Sequence, residues 1–179
     1  FIMSSDVDPE RHPSGGGPKI TAIQDELFSP GRSKAERYAE LVIGRTSLWA
    51  LIKYEVIVTA CSWLPGAIGF LLRSKFYPFL LGRVGANVTF GANVVLRHPH
   101  KILIGDNVVI DDGCVLDAKG TTNAGILIGD GVFIGRNTIL SCKNGDIIID
   151  DRANIGFNCE IFSGGKVRLG KDTLVAAYT

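Results

Sequence analysis

The sequence predicts a mostly β chain in which short parallel strands wind into a coil, preceded by an α-helical hairpin. Two observations carry this. An aliphatic residue recurs every six positions from residue 84 to the end of the 179-residue chain, and a capped apolar segment with helical spacing stands ahead of it. A third fits them: 22 glycines in a chain that is 46% apolar call for many tight turns between short strands.

The period is carried by Val84, Phe90 and Leu96, then by Ile104, Ile110 and Leu116. It continues through Ile128, Ile134 and Leu140, then Ile149, Ile155 and Ile161, and reaches Leu169 and Val175. The next position is mostly Gly or Asp. Three places on stands Asn, Gly or Asp, as at Asn87, Asn93, Asn107, Gly113, Gly131, Asn137, Asn158 and Asp172. Four places on stands a small or β-branched residue, such as Val88, Cys114, Thr138 or Cys159. Each strand thus offers one large and one small inward side chain, and the bend between strands needs a residue that tolerates φ > 0. Three such strands close a triangular turn of the coil, and stacked turns fill the interior with aliphatic ladders.

The period slips only between Leu96 and Ile104, Leu116 and Ile128, Leu140 and Ile149, and Ile161 and Leu169. All four insertions fall at one corner of the triangle. That corner carries His98, His100 and Lys101, then Lys119, then Lys143, Asn144 and Asp146, then Ser163 and Lys166. Repeat folds often place binding loops on one face in this way.

Three regions follow: residues 1–31, 32–83 and 84–179. The first is rich in Ser, Asp, Pro and Gly and reads as a mobile tail without the apolar core of a signal peptide. In the second, Ser33 and Glu36 fit a capping box, with a helix expected from there towards Trp63 and a second over Ala67–Leu81, separated by Pro65-Gly66. Residues 56–72 are uncharged, yet the Pro-Gly pair leaves arms too short to cross a bilayer. Residues 32–83 as a whole hold eight Lys/Arg against three Glu. The hairpin reads either as an anchor on a membrane surface or as a cap on the open end of the coil or a packing surface between subunits.

A formal net charge of +1 gives no field that would favour nucleic acid. The four cysteines show no C-x-x-C spacing and no cluster of histidines beside them, so reduced thiols, a cytosolic setting and no metal are expected. Cys114 and Cys159 read as core fillers, and Cys142 as a loop thiol open to exposure.

The helical lead-in followed by FYPFLLGRVGANVTFGANVVLRHPHKILIGDNVVIDDGCVLDAKG resembles the hexapeptide-repeat acyltransferases, in particular a bacterial subgroup close to polysaccharide and maltose-type O-acetyltransferases. The resemblance implies a left-handed parallel β-helix, a homotrimer with active sites between neighbouring coils, and acetyl-CoA or another acyl-CoA as donor. It also implies a sugar or glycan hydroxyl as acceptor and a single histidine as general base; the cysteines and the basic apolar hairpin, for their part, lead to the expectation of a cytoplasmic protein peripheral to the inner face of the membrane. Of three histidines, His12 lies in the tail, so the candidates for the base are His98 and His100, which otherwise read as exposed turn residues. In that subgroup the base normally follows a segment such as Val175–Thr179, so the expectation extends to a histidine beyond Thr179 and a coil truncated there. Lys101, Lys119, Lys143 and Lys166 place one cation per turn at the insertion corner, and Lys143 and Lys166 are the candidates for binding the phosphates of CoA; the alternative is that they keep strand edges soluble. Two other functions stay open: a non-catalytic scaffold, and a relative of the γ-class carbonic anhydrases, which hold zinc with histidines from separate turns.

Overall fold

A computed structural model describes residues 33–179 of the chain. The tail expected over residues 1–31, His12 included, lies outside the described residues. From Arg83 onward the chain is a parallel β-helix of about four turns.

Its three faces are three parallel sheets. The first stacks Arg83–Val84, Ile102–Ile104, Ile126–Ile128, Asp146–Ile149 and Lys166–Leu169. The second stacks Thr89–Phe90, Val109–Ile110, Phe133–Ile134, Asn154–Ile155 and Leu174–Val175. The third stacks Val95–Arg97, Val115–Asp117, Ile139–Cys142 and Glu160–Ser163. The pairing register is the six-residue period itself. Val84 pairs with Ile104, then Ile128, Ile149 and Leu169; Phe90 with Ile110, Ile134, Ile155 and Val175; Leu96 with Leu116, Leu140 and Ile161. Most of these side chains are fully buried, so the interior is a packed core.

The bends follow the same logic. All eight Asn, Gly and Asp bend residues named above have φ between 52° and 70°. Of the two further left-handed positions of this kind, Tyr178 stands at φ 60° and Arg152 at φ 57°. Its guanidinium forks onto Asp172 of the next turn, with both N–H···O distances 2.7 Å. That cross-turn pair holds in place a conformation that costs an ordinary side chain roughly 1–2 kcal/mol.

Two inward positions went unread in the sequence. The first sheet turns a second aliphatic ladder inward, Ile102, Ile126 and Ile147, and the third sheet ends inward with Ala118, Cys142 and Ser163. Cys142 is therefore a core residue and not an exposed loop thiol; the insertion corner begins one residue after it, at Lys143.

Ahead of the coil run α1 (Lys34–Tyr38), α2 (Leu48–Cys61) and α3 (Gly66–Phe76). The capping box forms as expected, with Glu36 N–H donating to Ser33 Oγ and Ser33 N–H to Glu36 Oε2. The helix expected to run unbroken to Trp63 is instead divided. A π-helical turn, Ala39–Ile43, ends at Gly44, whose φ of 70° lets its N–H satisfy the carbonyls of Ala39 and Glu40. The second expected helix also stops short of Leu81: α3 passes at Tyr77 into a 3₁₀ turn, because Pro78 has no N–H to continue the α ladder.

The helices meet the first turn of the coil through specific hydrogen bonds. Tyr54 Oη donates to the Leu96 carbonyl at 2.8 Å, and Asn93 N–H to the Ser62 carbonyl at 2.8 Å. Tyr77, fully buried, sets its ring edge-on to Phe90. Arg73 is buried with its guanidinium donating to three carbonyls, Phe90, Cys61 and Leu64, at 3.0, 3.0 and 2.6 Å. Among the described residues its hydrogen-bond partners are all backbone carbonyls, and one side chain ties α2, α3 and the coil together.

Two outcomes follow from these contacts. Ile134→Asp or Ile155→Asp places an unpaired charge in a ladder at a cost of several kcal/mol, and thermal unfolding followed by circular dichroism is expected to show loss of the cooperative transition. Arg73→Leu strands three buried carbonyls and is expected to destabilise the chain by about 3 kcal/mol, measured by urea denaturation.

Candidate functional site

The insertion corner of the first turn is the sequence His98-Pro99-His100-Lys101. His98 sits at φ 49°, ψ 50°, and Pro99–Lys101 form a 3₁₀ turn behind it. The turn is held from both sides: His98 N–H donates to the Val42 carbonyl at 2.8 Å, and Lys101 N–H to the His98 carbonyl at 2.9 Å. Neither histidine is an exposed turn residue. His98 is only 7% exposed and His100 is half-buried.

The His98 ring lies under the π-helical turn. Its Nε2 is 3.1 Å from the Glu40 carbonyl oxygen, which can only accept, so Nε2 carries the proton. Its Nδ1 faces the backbone of Gly44, where an added Cβ would lie 2.5 Å away. Both nitrogens are thus turned towards the helical segment, which explains why a glycine stands at position 44. Burial pushes the His98 pKa down, opposed by Asp117 and by the Glu40 carbonyl.

His100 differs in one respect. Its Nδ1 is buried and has no hydrogen-bond partner, while its ring lies 6.1 Å from that of His98 at 20°. Burial lowers its pKa to about 4, and the cations Arg45 and Lys101 and the neighbouring His98 add to the shift. A hydrogen bond with the Ile43 backbone opposes the shift, and at neutral pH the imidazole is uncharged.

The four corner lysines separate into distinct roles. Lys101 Nζ is enclosed by the next insertion, donating to the Gly120 carbonyl at 2.7 Å and Asn123 Oδ1 at 2.9 Å. Asn123 in turn donates to the Gly145 carbonyl at 2.9 Å, and Asp146 Oδ1 receives the N–H groups of Ala124 and Gly125. The insertions are laced to one another, with Lys101 as a brace. Lys119 is half-buried in the same lacework. Lys143 stands exposed with its Nζ 5.8 Å from the centre of the Phe162 ring, and Lys166 is exposed at the start of its strand. Both remain open to an anion. Asn123, Gly44 and Arg45 carried no signal in the sequence, because each acts through contacts with distant segments.

The cysteines are withdrawn from chemistry. Burial raises the thiols of Cys114 and Cys142 to about 11 and pushes that of Cys61 up as well. Among the described residues no group of three or more His, Cys, Asp or Glu is placed to hold a metal ion. An open groove of about 340 Å³ runs along the outer side of the first sheet, where Leu103, Leu127 and Ile148 form an apolar ladder in register between Arg83 and Arg168.

Residues 83–118 match a family described as the hexapeptide repeat of succinyl-transferase. The coil carries hexapeptide repeats. Among curated proteins no sequence match is found. Two solved structures are similar, both from Entamoeba histolytica. Native serine acetyltransferase 1 is 17% identical, with 86% of this chain and 60% of that one covered and a TM-score of 0.38. Serine acetyltransferase isoform 3, solved in complex with cysteine, is also 17% identical, with 91% and 53% covered and a TM-score of 0.30. The chain thus spans less than two thirds of either.

A histidine held below its ordinary pKa in the folded state binds its proton more readily when unfolded. The stability tied to neutral His98 and His100 is therefore complete above about pH 6.5 and declines as the pH falls from there towards about 4. Thermal midpoints measured from about pH 7 down to about pH 5 are expected to fall, and His100→Gln is expected to flatten that fall.

Proposed function

We propose that the chain is an acyltransferase that moves an acyl group, acetyl first among candidates, from a CoA thioester to a hydroxyl of a sugar or glycan. The observation that supports this reading most directly is the match of residues 83–118 to the hexapeptide repeat of succinyl-transferase, carried on a coil whose pairing register follows the same period. In the reaction a base takes the proton of the acceptor hydroxyl, the alkoxide attacks the thioester carbonyl, and the tetrahedral intermediate expels the CoA thiolate.

Within the described residues His100 suits the base better than His98, because its Nδ1 is unpartnered while both nitrogens of His98 face the helical turn. His98 is then a positioning residue that fixes the turn carrying His100. Lys143 and Lys166 are assigned to the CoA phosphates, since Lys101 is already committed to the loops. The apolar ladder of Leu103, Leu127 and Ile148 offers a flat surface for a neighbouring coil, in keeping with a homotrimer whose clefts complete the site.

A second reading, the non-catalytic scaffold, is favoured by the low pKa of His100, since a general base works best with a pKa near the operating pH. Thiol release from acetyl-CoA and succinyl-CoA, measured over a panel of sugar acceptors, separates the two. Acceptor-dependent release is expected. His100→Ala should lower kcat roughly 10²-fold or more, and Lys143→Ala with Lys166→Ala should raise KM for the donor without changing kcat. No turnover by well-folded protein with any acceptor would favour the scaffold.

A further inference from the structure

The helical segment presents an apolar surface that nothing in the coil covers. One side of α2 faces the first turn through Tyr54 and Cys61, both buried. Its other side carries Trp49, Ile52 and Val56 at helical spacing, and Trp63 continues the row just past the helix end. Trp49 is 80% exposed and Trp63 64% exposed. In α3 the buried side holds Gly69 and Arg73, and the outward row is Ile68, Leu71 and Lys75, with Phe79 beyond it. Lys53 joins the two rows by donating from Nζ to the Phe79 carbonyl at 2.8 Å.

The charges around this surface are predominantly positive. Between residues 41 and 83 the sequence has a single acid, Glu55, and its carboxylate accepts a 2.7 Å hydrogen bond from Tyr38 Oη. The exposed ions of the same stretch are Arg45, Lys53, Lys75 and Arg83. A second copy docking through this face would set cations against cations. An anionic bilayer complements both the charge and the apolar rows, and tryptophan is a residue suited to the boundary between acyl chains and water. No helix among the described residues is long and apolar enough to cross a membrane, which leaves a position in the plane of the surface.

We propose that α2 and α3 form a docking face for an anionic phospholipid bilayer, with Trp49, Trp63, Ile68 and Leu71 entering the headgroup boundary and Lys53 and Lys75 meeting lipid phosphates. The face stands apart from the acyl-transfer chemistry, so the inference holds or fails independently of the activity.

The two tryptophans of the chain both lie on this face, so intrinsic fluorescence reports on it alone. The full chain is mixed with vesicles of phosphatidylcholine, with and without phosphatidylglycerol, and with vesicles of brominated lipid. The expected result is a blue-shifted emission with anionic vesicles, quenching by brominated chains, and co-flotation that weakens as salt rises. Lys75→Gln should weaken partitioning about five-fold, and Trp49→Ser should weaken it further with the thermal midpoint unchanged. Emission unaltered by anionic vesicles would overturn the proposal. So would tryptophans already shielded from acrylamide without lipid: in an oligomer this would mean that a second copy covers the face, and in a monomer that residues 1–32 do.

Discussion

Stacking in register is the constraint on which the remainder of the structure rests. A strand of two to four residues has too few hydrogen bonds to stand by itself. It persists here because each inward aliphatic residue lies directly above and below another, and the backbone pairing that aligns them is the pairing that buries them. A slip of one residue would turn every ladder outward at once. The left-handed bend residues serve that alignment, which is why the position is mostly Asn, Gly or Asp, and where it is Arg152 the Asp172 carboxylate clasps it.

The same constraint decides where function can reside. With the interior filled, chemistry has only outer faces and corners, and two of the three corners are committed to six-residue bends. The third takes insertions of varied length, and Lys101, Asn123 and Asp146 lace those insertions into a fixed surface. The helical segment is bound to this scaffold at the first turn. Arg73 and Tyr54 fasten it by side chains, and His98 fastens it from the coil side by placing its ring beneath Gly44.

Much of the coil was legible in the sequence because its signal is local and repeated: every residue assigned to the six-residue period found its partner in the period of the adjacent turn. The errors came where one long-range contact outweighs the local pattern. The segment from Ser33 towards Trp63 reads as one helix when Gly44 is passed over as a tolerated interior glycine, whereas its left-handed cap and the ring of His98, more than fifty residues away, both require a glycine there. Cys142 reads as a loop residue because the third strand continues past the expected repeat. The candidate site was visible as residue types but not as environments. That His98 and His100 share a turn follows from the sequence; that one is enclosed and the other keeps an unpartnered nitrogen depends on a helical segment folded back over them.

The confinement of insertions to one corner separates two kinds of change in this architecture. Lengthening a bend at either of the other corners shifts all later residues against the ladders, so length there is held by the core. Residues added after Ala118, Cys142 or Ser163 leave the chain at one edge and return to it without disturbing the register on either side. That edge can therefore acquire new loops turn by turn while the stability of the coil stays nearly constant, and the exposed surface can be rewritten along a single seam of the molecule.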